Sequence, residues 1–231
     1  MKVDIGIIGA LDEEVKGLIA SLLEHVEQTV GGIEFHTGIL EGKRVAIAKC
    51  GVGKVFAAIC TEAMIIKYSP RLIINTGVGG ALKEGLSPSD LVIADKLVQH
   101  DMDTSPIGDP KGLVSGINKI YFDADVRALS IAKECAQKFG YNAVVGTVAT
   151  GDKFIADKED KRRIVSDFSA AACEMEGAAV AHTAYVNNTP FIVIRAISDS
   201  ADGDATMDYL EFLPIAAKKS TDITLALVKG Y

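Results

Sequence analysis

The sequence is short of cysteine, of arginine and of long apolar runs, and each shortage narrows what it can encode. Four cysteines, Cys50, Cys60, Cys135 and Cys173, are scattered over 231 residues with no CxxC pair. This argues against a disulfide scaffold and predicts buried thiols in a reducing cytoplasm. Four histidines, His25, His36, His100 and His182, show no metal-ligand spacing along the chain, so neither a metal nor another cofactor is expected. Only six arginines occur, and the formal net charge is −7. Phosphate backbones are bound by clustered Lys and Arg, so no nucleic-acid partner is expected. The densest basic run, "DKEDKRRIV" at 157–165, is interleaved with acids and reads as a solvated helix face. No apolar stretch approaches the roughly 20 residues of a membrane span, so no membrane association is expected. The opening "MKVDIGIIGALDEEV" meets acids after an apolar run of about five residues, unlike a signal peptide. Repeats, low-complexity tracts and linker-like runs are missing as well, which predicts one domain over 1–231.

What is present is an alternation of short apolar runs with amphipathic ones. Strands are predicted at 3–9, 33–40, 43–50, 71–77, from 90, and at 142–149, 169–174 and 191–198. Helices are predicted at 11–25, where Val15, Leu18, Ile19 and Leu22 have helical spacing, and at 54–67, 123–139, 157–166, 176–187 and 207–229. The alternation predicts a three-layer α/β protein, and a hairpin around Glu41–Gly42 makes the sheet mixed. Residues 103–120, containing "DTSPIGDPKGLVSG", read as a long mobile loop of the kind that covers binding sites.

Three glycine clusters, "GIIGAL" (6–11), "CGVGKV" (50–55) and "TGVGGAL" (76–82), read as turns after strands. The dinucleotide fingerprint fails because Phe56 and Leu82 occupy the third glycine position. The P-loop fails because Ala48 and Val55 stand at its required positions. Three such turns point instead to one small-molecule pocket at the carboxyl edge of the sheet.

Acids also end the apolar strands: Asp12, Glu13 and Glu14 after the first, Glu174 and Glu176 after "SAAAC", and Asp199 after "FIVIRAIS". Asp12 and Glu13 suit the first turn of a helix. Asp199 is different, because its strand also carries Arg195, and a charge in an apolar strand requires a partner. Glu14, Glu176 and Asp199 are therefore expected to meet in one acidic site, with Arg195 paired to a nearby carboxylate. The residues alone leave open which one.

At these residues the chain resembles the 5′-methylthioadenosine/S-adenosylhomocysteine nucleosidases of the purine nucleoside phosphorylase-like superfamily. The matching segments are "IGIIGALDEEV", "GVGKV", "IINTGVGGAL", "TGDKFI", "CEMEGAAVAH", "VIRAISDSAD" and "MDYLEFLPIAAKKS", in order across nearly the whole chain. The resemblance implies a central mixed, twisted sheet flanked by helices, and a cytoplasmic homodimer acting in methionine salvage. It implies hydrolysis of the bond between adenine and a 5′-thio-substituted ribose. Glu14 matches the general base that activates water, and Asp199 the acid that protonates adenine N7. Glu176 matches the carboxylate on the ribose hydroxyls, and Met175 packs against the sugar. Phe154 and Ile155 match the base pocket, and Gly80 a substrate-contacting glycine. Val52, Ser198 and Arg195 match supporting positions, and Glu174 is a supporting neighbour. Tyr209 stands near the 5′ substituent, where phenylalanine is common. The alternatives are a nucleoside phosphorylase, or a nucleosidase for another adenosine-like substrate such as aminodeoxyfutalosine.

Overall fold

Side chains of the central strands alternate between two core clusters, and this decides where the helices lie. A computed structural model describes residues 2–201 and 205–231, with backbone alone for 205–208. Asp202 of "VIRAISDSAD" and the side chains of Met207 and Asp208 therefore lie outside the described residues. In β1 (Ile5–Gly9), Ile5 and Ile7 join one core cluster and Ile8 the other. In β10 (Phe191–Asp199), Ile192 and Ile194 face the first cluster, and Phe191, Val193 and Ile197 the second. Strands covered on both faces read as continuous apolar runs, which is why they are legible in the sequence.

The first cluster is roofed by α1 (Asp12–Ala20), α3 (Val126–Phe139) and α6 (Ala205–Gly230), through Leu18, the Ala128/Ala132/Ala136 stripe and Ile223. The second is roofed by α2 (Lys54–Tyr68) and α5 (Gly177–Val186), through Cys60, Met64 and the alanines of "GAAVA". The shorter α4 (Lys158–Phe168) buries Ile164 and Phe168 in a third, smaller cluster. The three-layer α/β expectation holds. Among the described residues, no helix is long and apolar enough to cross a membrane.

The sheet begins as a meander of β2 (Leu23–Val30), β3 (Ile33–Leu40) and β4 (Lys43–Lys49), then continues in parallel through β1 to β5 (Leu72–Ala81). Beyond β5 it closes on itself. Strand β5 pairs with β10, β10 with β6 (Leu91–Gln99), β6 with β8 (Ala143–Thr150), β8 with β9 (Ala172–Glu174), and β9 again with β5. A short β7 (Tyr121–Asp123) pairs with β6. The ring mixes parallel and antiparallel pairs, and it brings the ends of β9 and β10 beside the second half of β5.

Two expectations need correction. The helix expected at 11–25 stops at Ala20, and 23–30 forms edge strand β2. Helical spacing does persist to Leu22, but β3 offers an unpaired edge, and the backbone groups from Leu23 onward are satisfied by that ladder. Glu24 at φ 54° lies in the register shift that starts it. Second, "TGVGGAL" is not a turn after a strand. Strand β5 runs through it, with Gly77, Gly79 and Gly80 opposite Arg195, Ile197 and Asp199. Gly6 and Gly9 likewise belong to β1. Only "CGVGKV" turns, with Gly51 at φ 92° and Gly53 at φ 103°.

Candidate active site

Why a strand would carry glycine at three of four positions is answered by what lies beside it. A Cβ on Gly77 would collide with the carboxylate of Glu14, and one on Gly80 would stand 2.8 Å from Asp199 Oδ1. A Cβ on Gly9 would lie 3.1 Å from Glu14 Cβ and 2.7 Å from Val15. The glycines make room for buried acids rather than for phosphates.

Glu14 is the third residue of α1 and bends back over the helix start. Its Oε2 accepts from Ala10 N–H at 2.6 Å and Leu11 N–H at 3.0 Å, and its Oε1 from Val78 N–H at 3.0 Å. The carboxylate thus satisfies the N-cap amide of Leu11, as in a capping box, together with the Ala10 amide before it and the Val78 amide of the neighbouring strand. Burial pushes the Glu14 carboxyl above its usual range, while the field of Arg195 and the three amides pull the other way.

Asp199 ends β10. Its Oδ2 accepts from Ser198 Oγ at 2.8 Å, and its Oδ1 from Ala201 N–H at 2.9 Å. Glu176 stands between β9 and α5, where its Oε1 accepts from Gly53 N–H at 2.8 Å, the turn between β4 and α2. Burial first, then the negative charge of Glu174, pushes its carboxyl up to about 8, against the pull of Arg195.

Arg195 pairs with Glu174. Its Nε lies 3.2 Å from Glu174 Oε2, and its Nη2 reaches the same oxygen and Asn75 Oδ1. The same Glu174 oxygen accepts from the N–H groups of Glu176 at 3.0 Å and Gly177 at 2.7 Å, capping α5, and Thr150 Oγ1 donates to its other oxygen. Arg195 is 1% exposed and does not line the cleft. Its donors are spent on Glu174, Asn75 and backbone carbonyls, and through Glu174 it holds the segment carrying Met175 and Glu176.

The other expected residues meet in one cleft. Glu14 enters from α1, Val52 from the turn after β4, and Gly80 from β5. Phe154 and Ile155 follow β8, Met175 and Glu176 follow β9, Ser198 and Asp199 end β10, and Tyr209 comes from α6. The Phe154 and Tyr209 rings meet edge-on, with centroids 5.6 Å apart. Asp152 ties the Phe154 segment to the site, since its Oδ1 accepts from Lys54 N–H at 2.8 Å, one residue beyond the Gly53 amide that grips Glu176. Sequence reasoning did not assign Lys153 and Cys173 to the lining. Both lie inside matched segments, and no local pattern sets them apart from other lysines and buried cysteines of the chain.

Three acids from three elements, two of them with carboxyls raised by burial, face an apolar slot edged by an aromatic ring. Such a site can hold a planar heterocycle and a polyol, protonate a leaving group and activate water.

The chain matches the model of the phosphorylase superfamily over residues 4–229. It is 41% identical over 226 residues to the 5′-methylthioadenosine/S-adenosylhomocysteine nucleosidase of Staphylococcus haemolyticus, covering 97% of this chain and 99% of that one. The corresponding enzyme of Neisseria meningitidis, solved in complex with methylthio-immucillin-A, superposes with a TM-score of 0.96 at 34% identity and 99% coverage of both chains. The futalosine hydrolase of Helicobacter pylori superposes with a TM-score of 0.94 at 34% identity, covering 99% of this chain and 98% of that one.

Proposed function

Because the chain belongs to the phosphorylase superfamily, and within it to the 5′-methylthioadenosine/S-adenosylhomocysteine nucleosidases, we infer that it hydrolyses the N-glycosidic bond of these two nucleosides. The products are adenine and the 5′-thio-substituted ribose. The observation that carries this reading for the chain's own residues is that Glu14, Glu176 and Asp199 line one cleft from three separate elements.

Adenine leaving as an anion is a poor leaving group. Asp199 supplies the proton to N7, so adenine departs neutral. As positive charge develops on the sugar, Glu14 takes a proton from the attacking water on the other face. Two carboxylates with substrate and water between them follow the logic of an inverting glycosidase. Glu176 accepts from the vicinal ribose hydroxyls, Met175 packs on the sugar, and Phe154 with the Ile155 backbone holds the base.

Phosphate does not fit as the nucleophile. Among the described residues, the lysine or arginine lining the cleft is Lys153, whose ammonium is paired with Asp160, and Asp12, Glu13 and Glu14 crowd the end of β1. A phosphate dianion there meets like charge. The test is incubation with methylthioadenosine with and without phosphate, followed by identification of the sugar. Free methylthioribose in both cases is expected; a sugar 1-phosphate formed only with phosphate would assign a phosphorylase instead. An aminodeoxyfutalosine arm is included because of the likeness to the Helicobacter pylori futalosine hydrolase.

A pH dependence follows from Glu176. Its ionised form is the better acceptor for the ribose diol, so kcat/KM rises with pH through a limb near 8. Glu176→Gln removes that limb and raises KM by about 10- to 100-fold, the loss of about 1.5–3 kcal/mol of charge-assisted hydrogen bonding. An unchanged pH profile in the variant would assign the limb to another group. The same shift runs opposite to stability. Between 4.5 and about 8 the folded state keeps a proton that the unfolded chain has released, so this group's contribution to stability declines as pH rises through that window.

The chain acts as a cytoplasmic homodimer recycling by-products of S-adenosylmethionine. Supporting the dimer, Val55, Ile59 and Ile66 on α2 are exposed beside Val186 of α5 around one apolar groove. Ile107 in the 103–116 loop is 82% exposed, available to a neighbour's cleft.

A further inference from the structure

Outside the cleft, on the β2–β3 ladder, three side chains converge that have no part in the chemistry above. Glu27 stands directly opposite His36, and His25 precedes Glu27 by two residues on the same strand. His25 Nε2 lies 3.0 Å from His36 Nδ1, and Glu27 Oε2 lies 3.9 Å from that same nitrogen. One ligand atom from each of the three falls within 4.8 Å of the others.

The far side of the His36 ring matters as much. Its Nε2 is 3.1 Å from Glu34 Oε1. A carboxylate there keeps the proton on Nε2 and leaves the Nδ1 lone pair facing His25. This is how metal-ligating histidines are commonly oriented, by a carboxylate on the nitrogen that does not bind. Two imidazole nitrogens this close share either one proton or one ion. The His36 side chain is 12% exposed, so its ring is held by the ladder, whereas Glu27 is free to rotate.

We propose that His25, His36 and Glu27 form a binding site for a divalent transition-metal ion of the zinc type, with Glu34 orienting His36. Zinc bonds of about 2.0–2.2 Å in tetrahedral geometry place neighbouring ligand atoms roughly 3.3–3.5 Å apart. The 3.0 and 3.9 Å separations straddle that spacing, and rotation of the exposed Glu27 closes the wider one. Two nitrogens and one carboxylate suit zinc, cobalt, nickel or copper, not magnesium or calcium, which take oxygen ligands. A fourth position is open to water. The ion ties edge strand β2 to β3, the one strand with which β2 pairs among the described residues.

The test uses the untagged full-length chain, treated with a chelator and titrated with zinc by calorimetry and with cobalt by visible absorption. One saturable ion per chain is expected, with a tetrahedral cobalt spectrum free of thiolate charge-transfer bands. His25→Asn and His36→Asn each lower the affinity at least tenfold, and Glu34→Ala lowers it about tenfold. The variants keep nucleosidase activity, since neither strand lines the cleft, and this activity shows that they fold. In the parent chain alone, zinc raises Tm. Absence of saturable binding, binding that survives the His25→Asn/His36→Asn double substitution, or a thiolate cobalt spectrum would each overturn the proposal.

Discussion

Replacing Asp199 by asparagine lowers turnover about 10²- to 10⁴-fold, the span that a lost general acid or base costs, while an unreactive adenosine analogue still binds within a few-fold of the parent affinity. The substitution is nearly isosteric. The carbonyl oxygen of asparagine still accepts from Ala201 N–H, and its amide still meets Ser198 Oγ, which can accept as well as donate. The pocket wall set by Gly80 is unchanged, because the new side chain has the same size as the old one. What is lost is a proton that can be given to N7 as the glycosidic bond breaks. The effect therefore falls on kcat rather than on KM. Single-turnover kinetics alongside analogue titration separates the two, and full kcat in the variant would sink the acid assignment.

The second large effect is on stability. Glu174→Ala destabilises the fold by about 3–5 kcal/mol, the cost of breaking a buried ion pair from one side. Arg195 would be left charged in the middle of a central strand, with Asn75 and backbone carbonyls as its remaining partners. Two N–H groups at the start of α5 would lose their acceptor as well. Urea denaturation of parent and variant measures the difference; a change within 1 kcal/mol would mean that water replaces the carboxylate at negligible cost. Glu174→Gln is milder, since an amide oxygen still caps the helix. Either substitution also removes the negative neighbour that helps raise Glu176, so the Glu176 titration moves down if the fold survives.

Most of the architecture was legible because both faces of the sheet are buried. Continuous apolar runs mark β1, β5 and β10 wherever they lie in the chain, and the alanine-rich "GAAVA" marks a helix packed closely on them. The reading failed at 23–30, where β2 is an exposed edge strand with no apolar periodicity to betray it. It failed again at "TGVGGAL", where glycine signals a turn by local propensity but is placed in a strand by steric demand from Glu14 and Asp199.

The site divides in the same way. The acids, their position at the ends of apolar runs, and the ordered motifs that join the chain to its family were all readable from the residues. Only the folded arrangement shows which carboxylate is tied to the buried arginine and which to the Gly53 turn. Glu174 and Glu176 are two residues apart, chemically identical and both at the cleft, yet Glu174 is tied to Arg195 and the first amides of α5 while Glu176 is held by the Gly53 amide. The cause is geometric: the chain passes between them from strand to helix start, and the buried guanidinium requires a partner on its own side. His25 and His36 make the same point in reverse. Eleven residues apart, they show no ligand spacing in the sequence, and only the ladder of β2 against β3 sets their nitrogens side by side.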